Sequence, residues 1–439
     1  MLSDSSKNCL DQLLNETIGN IGGTKEDSEN GYSRLALSPD ESAAIGALAE
    51  FGQREGLFPT TDAFGNLLLF TEKDSRSAFE NKTINNLLLV GSHIDTVPNG
   101  GNYDGAVGAV AAIVALVDIK KSRMHFSRPT AAIAFRAEES SRFGQAYLGS
   151  KALLYGLTRD DLSLVDKNDP DLTLEACLMK EGLDPENVLR PSLKLSDVYR
   201  FYESHIEQGP YLEENESDIG IVTSIRGNQR YNVTVKGVSG HSGTYPMNMR
   251  ADALVAVSQL GLVNKVHELG IKYQASGTAT TGYLSTPKGA TNVVPGLVIA
   301  SPEVRADTPE VLDLMDKEFL KIIFPQGSKE KNGALTFIDP QGIVYTVVKA
   351  KRTAPHLINQ QISGNMYNVA TTLGLKTEYM PSGAGHDTAN FGEKGGLFFI
   401  PGRISHNPKE YVEPDSVFHA YSLIKALLAG GNVPRTGSS

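Results

Sequence analysis

The sequence predicts an α/β protein, a mixed-sheet α/β domain interrupted by an inserted α+β domain of ferredoxin-like type. Three observations carry this reading. The runs "NLLLVGS" and "TAAIAFRAE" are apolar without alternation, as strands covered on both faces are. Between them, residues 105–119 have the small and apolar side chains of a buried helix, so the order is strand, helix, strand, and a right-handed crossover makes the strands parallel. Near Ile225 the texture changes to alternating strands separated by helices, and near residue 342 the first texture returns.

Each element has a local cause. "ALSPDESAAIGALAEFGQREG" opens on Ser38-Pro39, an N-cap followed by proline at the first helical position. In the insertion, "RYNVTVKGV" reads as a strand and "RADALVAVSQLGLVNKVHELG" as a helix; "GTATTGYLST" and "NVVPGLVIASPEVRAD" are strands, and "TPEVLDLMDKEFLKIIF" is a helix capped by Thr308. With a closing strand at "ALTFIDP" these make one β-α-β-β-α-β unit. "APHLINQQISGNMYNVATTLG" then reads as helix and "GGLFFIPG" as strand. The division expected is 1–223 and 341–439 for the first domain and 224–340 for the insertion. The final "GGNVPRTGSS" is Gly-rich and polar, and is expected to be disordered.

A net charge of −10 over 439 residues, with no Lys/Arg cluster, argues against nucleic-acid binding, which needs a basic surface. Cys9 and Cys177 make neither a disulfide framework nor a thiolate zinc site. "MLSDSSKNCLDQLL" lacks the layout of a secretory signal, and the longest apolar run, residues 106–117, is too short to span a bilayer. A cytoplasmic protein without membrane association is expected.

The chemistry gathers where core strands meet polar residues. In "GSHIDT", His93 and Asp95 project to the same side of a strand, and a carboxylate beside a histidine fixes its tautomer and raises its basicity. Asp104 follows in "NYDGAVG", among glycines that let backbone turn tightly round an ion. "AAIAFRAEESSRFG" brings a strand to Glu138 and Glu139, a pair that divides into ligand and general base. "FYESHIEQGPYLE" supplies His205 and "MPSGAGHDTANFG" supplies His386. Singly, each of these residues is as well explained by a solvated loop or a structural role. Jointly, His93, Asp104, Glu139, His205 and His386 offer nitrogen and oxygen donors suited to zinc, manganese, cobalt or nickel.

"GSHIDT…NYDGAVG", "EESSRFG", "ESHIEQGP", "GHSGTYPMNMRADA", "TNVVPG", "SGAGHD" and "RISHNPKE", in this order, resemble the hydantoinase/carbamoylase family of amidohydrolases. That family lies within the aminoacylase-like dinuclear metallopeptidases and acts on N-carbamoyl-L-amino acids, allantoate or ureidoglycolate. The resemblance implies two divalent ions bridged by Asp104, one also held by His93 and His205, the other by Glu139 and His386. It implies Glu138 as general base, Asp95 orienting His93, Gln208 lining the substrate pocket, His241 steadying an oxyanion, and Asn292 and Arg305 gripping a substrate carboxylate. The reaction implied is attack of an ion-activated water on a ureido carbonyl, giving amino acid, carbon dioxide and ammonia. An N-acyl-amino-acid amidase or dipeptidase is the alternative on the same scaffold. The resemblance also implies a homodimer, with the insertion as lid and dimerisation domain.

The chain departs from the family pattern at Ser140, where glycine is usual, at Gly240, Ser242 and Tyr245 in "GHSGTYPM", and at Glu303, where aspartate is usual. These leave the metal set intact and bear on the substrate.

Overall fold

The computed structural model describes residues 4–23, 30–122, 126–287 and 289–430. Of the "GGNVPRTGSS" tail, all but the first glycine lies outside the described residues. The chain forms two compact units, residues 1–223 with 358–439, and residues 224–357.

The first unit is built on a mixed sheet. Its centre is four parallel strands in the order Thr130–Phe135, Leu87–His93, Val198–Ile206, Gly395–Ile400. The antiparallel pair Phe58–Thr61 and Leu67–Phe70 extends one side, and Ile219–Ile225 with Thr377–Ser382 the other. Alternation within the apolar strands explains why the runs are continuous. Leu88, Val90, Ala132 and Ala134 face a core shared with helices Pro39–Arg54, Ala106–Lys121, Gln360–Thr372 and Pro414–Leu428. Leu87, Leu89, Ala131, Ile133 and Phe135 face a second core with Leu153, Phe201 and Phe391, the last two stacked 4.1 Å apart. Burying a side chain of this size contributes about 1.5–3 kcal/mol. Helix Ala106–Lys121 is apolar all round because it is buried all round. Ser38 caps helix Pro39–Arg54 by accepting the N–H of Glu41.

The second unit is an antiparallel sheet covered by helices. Its order is Lys329–Lys331, Ala334–Ile338, Val344–Lys349, Gly227–Lys236, Leu297–Ala306, Gly277–Ser285. The strand that closes the β-α-β-β-α-β unit is therefore Val344–Lys349, paired with Gly227–Lys236; "ALTFIDP" forms a hairpin arm outside it. This moves the end of the insertion from residue 340 to Leu357. The segment read as one helix is two, Ala253–Leu260 and Leu262–Lys272, divided at Gly261, whose φ of +69° no helix accommodates. Helix Pro309–Ile323 starts at its Thr308 cap as expected. No helix among the described residues is long and apolar enough to cross a membrane.

One buried side chain ties the amino-terminal segment to the loop that follows strand Leu87–His93. Arg34, 0 % exposed, donates to the carbonyls of Ile18, Ile21 and Ile94 and to the side-chain oxygen of Asn102. Burial lowers its pKa to about 10, so it keeps its charge at neutral pH. Arg34→Met would leave those acceptors buried and unpaired, at about 1–3 kcal/mol each before relaxation. The expected outcome is a clearly lowered thermal midpoint by calorimetry, and an unchanged midpoint would contradict this account.

Candidate metal centre and active site

The four parallel strands bring the candidate residues to their carboxyl ends, where open α/β sheets place ligands. Leu87–His93 ends in His93, with Asp95 two residues on; Thr130–Phe135 leads to Glu138 and Glu139; Val198–Ile206 carries His205. The fourth, Gly395–Ile400, leads into a loop that bears Ser405, His406 and Glu410. Asp104 sits just before helix Ala106–Lys121. His93, Asp95, Asp104, Glu138, Glu139 and His205 are all buried.

Asp104 is the meeting point. Its Oδ1 lies 3.8 Å from His205 Nε2, and its Oδ2 lies 3.8 Å from His93 Nε2 and 3.7 Å from His406 Nε2. His93 Nε2 and His205 Nε2 are 3.2 Å apart, and His406 Nε2 is 2.8 Å from Glu139 Oε1. Two groups of donors result, His93, Asp104 and His205, and Asp104, Glu139 and His406, with Asp104 in both. Nitrogen and oxygen ligands about 2.0–2.2 Å from a tetrahedral ion stand about 3.3–3.6 Å from each other. The residues present therefore fit a pair of ions, and the buried Oδ2 of Asp104, which has no hydrogen-bond donor among the described residues, is the atom left for them. The His406 side chain is 47 % exposed where the other donors are buried, so the pair opens to solvent on that side.

The backbone serves the same geometry. Asp95 accepts the N–H groups of Glu138 and Glu139 on its two oxygens, each at 3.0 Å, and its Oδ1 lies 3.4 Å from His93 Nδ1. The carboxylate thus holds both glutamate N–H groups, and Asp95 sets His93 through its backbone carbonyl, 3.1 Å from Nδ1, with the carboxylate beside it. His205 Nδ1 donates to the carbonyl of Ile206 at 2.8 Å, which turns the lone pair of Nε2 to the site. Gly105 stands so close to His93 that a Cβ there would lie 2.1 Å from its ring. Ala137, Gln208, Ile404 and His406 all have φ between +54° and +64°, a strained group concentrated round one site.

His386 is buried outside the two donor groups, and its Nδ1 has no hydrogen-bond partner among the described residues. Its Nε2 pairs with Ser382 Oγ at 3.0 Å and its ring meets His205 edge-on, 4.6 Å between centroids. It follows Thr377–Ser382, a strand outside the parallel set, and the histidine at Glu139 is His406, after Gly395–Ile400. Gln208 is bonded through Nε2 to Asp104 Oδ1 and to Ser405 Oγ. In the second unit His241 and Asn292 are neighbours, since His241 pairs with Val293 and the N–H of Ser242 donates to the carbonyl of Asn292. Arg305 is held by Glu303 at 2.6 Å, which Arg230 also binds. Tyr245 and Gly240 are a linked departure: a Cβ at Gly240 would lie 3.1 Å from the Tyr245 ring.

Residues 89–430 match the model of peptidase family M20/M25/M40. The chain belongs to that family. It is 31 % identical over 407 residues to an N-carbamoyl-L-amino-acid amidohydrolase of Pseudomonas sp. (strain NS671), covering 92 % of this chain and 93 % of the relative. It is 32 % identical over 332 residues to an allantoate amidohydrolase of Bacillus subtilis (strain 168), covering 74 % and 76 %. A solved amidase of the hydantoinase/carbamoylase family from Burkholderia multivorans shares the fold, with a TM-score of 0.80, 24 % identity and 97 % of each chain covered. This M20 chain is accordingly a hydrolase of the amidohydrolase kind in a metal-dependent family.

Electrostatics in the M20 centre follow from burial. Desolvation raises the Glu138 carboxyl well above the usual range, with Glu139 adding to the effect and His93 opposing it. Glu139 is raised for the same reason. Burial opposes ionisation of Asp104, yet His205, His406 and His93 hold it well below the usual range. Burial also opposes a proton on His93, but Glu138, Asp95 and Asp104 lift its pKa well above the ordinary value, and Asp104 and Glu139 lift His406 to about 10. Burial lowers His205 to about 4. These shifts favour a proton on His93 and on His406 at neutral pH, and a proton would have to leave each imidazole that takes an ion. Metal affinity should rise with pH between 6 and 8, about ten-fold per unit for each proton released. Titration calorimetry of zinc in buffers of different ionisation enthalpy counts the protons, and metal uptake without proton release would refute the assignment.

Proposed function

We propose that this protein hydrolyses the ureido C–N bond of an N-carbamoyl-L-amino acid, with two divalent ions held by His93, Asp104, His205, Glu139 and His406. The observation that carries the reading is Asp104 standing between two groups of N/O donors with its buried Oδ2 unpartnered. Its donors suit zinc, and equally manganese, cobalt or nickel. Such ions, when bound, supply Lewis-acid polarisation of a carbonyl and acidify water.

Glu138 is the general base. It is buried, its Oε2 lies 3.9 Å from His93 Nε2, and burial raises its affinity for a proton. It accepts a proton from the attacking water and delivers it to the amino-acid nitrogen as the C–N bond breaks. The carbamic acid left behind falls to carbon dioxide and ammonia. His241 donates to the oxyanion, and Asn292 and Arg305 take the substrate carboxylate, for which a planar guanidinium fork is suited. Asp95 keeps His93 in place, and Gln208, bonded to Asp104, borders the substrate. The likeness to an allantoate amidohydrolase supports a second reading, in which a ureido group of allantoate is cleaved.

The second unit supports a homodimer. Gly277–Ser285 is an edge strand of its sheet, and Leu254, Val255, Val263 and Leu284 are exposed apolar residues of the same unit. Residues 224–357 would then serve as lid and dimerisation domain.

Zinc-loaded protein should release amino acid from N-carbamoyl-L-amino acids faster than from N-acetyl amino acids, dipeptides or allantoate; preference for allantoate would select the second reading. Glu138→Gln should keep its metal and lose about 10²–10⁴ in kcat. In elemental analysis after dialysis, His406→Ala should lose metal and His386→Ala should keep it; the reverse pattern would return His386 to the ligand set.

A further inference from the structure

The loop after strand Gly395–Ile400 closes on itself, since Arg403 and Tyr411 exchange both backbone hydrogen bonds, at 2.9 and 3.2 Å. Three of its side chains reach the Asp104 loop, some 300 residues earlier in the chain. His406 stands at Asp104 Oδ2, and Ser405 Oγ donates to Asp104 Oδ1 at 2.7 Å. The third is Glu410, whose Oε1 accepts the backbone N–H groups of Tyr103 at 2.6 Å and Asp104 at 3.0 Å.

Glu410 is an expensive way to hold a loop. It is 7 % exposed, no Lys or Arg pairs with it among the described residues, and its Oε2 has no donor there. Burying a carboxylate costs far more than burying an apolar side chain of equal volume. The Asp104 loop is shaped to admit it, because a Cβ on Gly101 would lie 2.2 Å from the Glu410 carboxyl. The two N–H groups it accepts are those of consecutive residues, and the second belongs to Asp104 itself, on the peptide that sets the direction of its side chain.

We infer that Glu410 is the positioning residue for the bridging carboxylate, fixing the Asp104 backbone so that its two oxygens reach both donor groups. Loop 403–411 is then a clasp that presents His406 and the aimed Asp104 as one preassembled unit. The inference rests on the reading of Asp104 and His406 as ligands. It requires an acceptor oxygen at the position of Oε1, which Glu410→Gln retains and Glu410→Leu removes at similar volume.

The test measures zinc affinity by chelator competition, and zinc content, for wild-type protein and these two variants. Glu410→Leu should bind zinc about 10–100-fold more weakly, the usual cost of losing an outer support of a metal ligand, and Glu410→Gln should remain within about three-fold of wild type. Gly101→Ala, which displaces the Glu410 carboxyl without altering it, should match Glu410→Leu and serves if that variant fails to fold. Amide exchange at Tyr103 and Asp104 should speed up in Glu410→Leu and Gly101→Ala alone. Wild-type affinity in both of those variants, or equal losses in Glu410→Leu and Glu410→Gln, would overturn the inference. Wild-type protein that binds no pair of ions would instead overturn the metal reading beneath it.

Discussion

The constraint that organises the first unit is the crowding of acids out of water. Asp95, Asp104, Glu138, Glu139, Glu203, Asp387 and Glu410 are each 9 % exposed or less, and among the described residues none of them pairs with a lysine or arginine. Their nearest cationic partners are imidazoles, with the buried guanidinium of Arg34 acting on Asp95 and Glu410. Carboxylates gathered in this way repel one another and lose hydration, and a fold keeps them by favouring protons on some, as burial does for Glu138 and Glu139, or by gathering positive charge. Divalent ions would supply that charge, and their arrival would reverse the upward pressure on Glu138 and Glu139. The parallel strands, the Asp95 clamp and Arg34 make sense as the frame that holds this unfavourable group assembled.

Such a frame has to be stiff where the chain is weakest, in the loops. Strand ends supply His93 and His205 directly, and these need little besides a hydrogen bond to set the ring. Asp104 belongs to a loop, and its direction is set from outside by Arg34 through Asn102 and by the 403–411 loop through Ser405 and Glu410. The positive φ at Ile404 and His406 is strain of the kind that persists only where surrounding contacts over-determine it.

Much of this was legible in one dimension because it repeats on a short range. Unbroken apolar runs marked the doubly covered strands, Ser38-Pro39 and Thr308-Pro309 marked helix starts, and His93, Asp104, the two glutamates and His205 stood where strands gave out. His386, set among glycines, lies outside the two donor groups around Asp104 but is buried beside His205 with its Nδ1 unpartnered among the described residues, and the sequence pattern does not choose between it and His406. "GGLFFIPG" was legible as a strand and "RISHNPKE" as a motif, and joining the two would have pointed to His406. Arg34 carried no local signal, and Glu410 closed the motif "RISHNPKE" without a role that the sequence could assign, since the contacts that define them cross 13 to more than 300 residues. The closing strand of the insertion failed for another reason: "ALTFIDP" and "IVYTVVK" alternate equally well, and only pairing with Gly227–Lys236 decides between them.

The departures in the second unit read differently once packing is known. Gly240 and Tyr245 are two changes in sequence but one in space, since the ring occupies the room that a side chain at 240 would take. Glu303 binds Arg305 through Oε1 and Arg230 through Oε2, each at 2.6 Å. Burial opposes the charge on Glu303, and the two guanidinium groups hold its carboxyl below the usual range. On the proposal that Arg305 takes a substrate carboxylate, that group would compete with an anion already seated on it, and Arg230 would stay to neutralise Glu303. That arrangement would keep Arg305 ordered without substrate and make its release less costly than an isolated ion pair would allow.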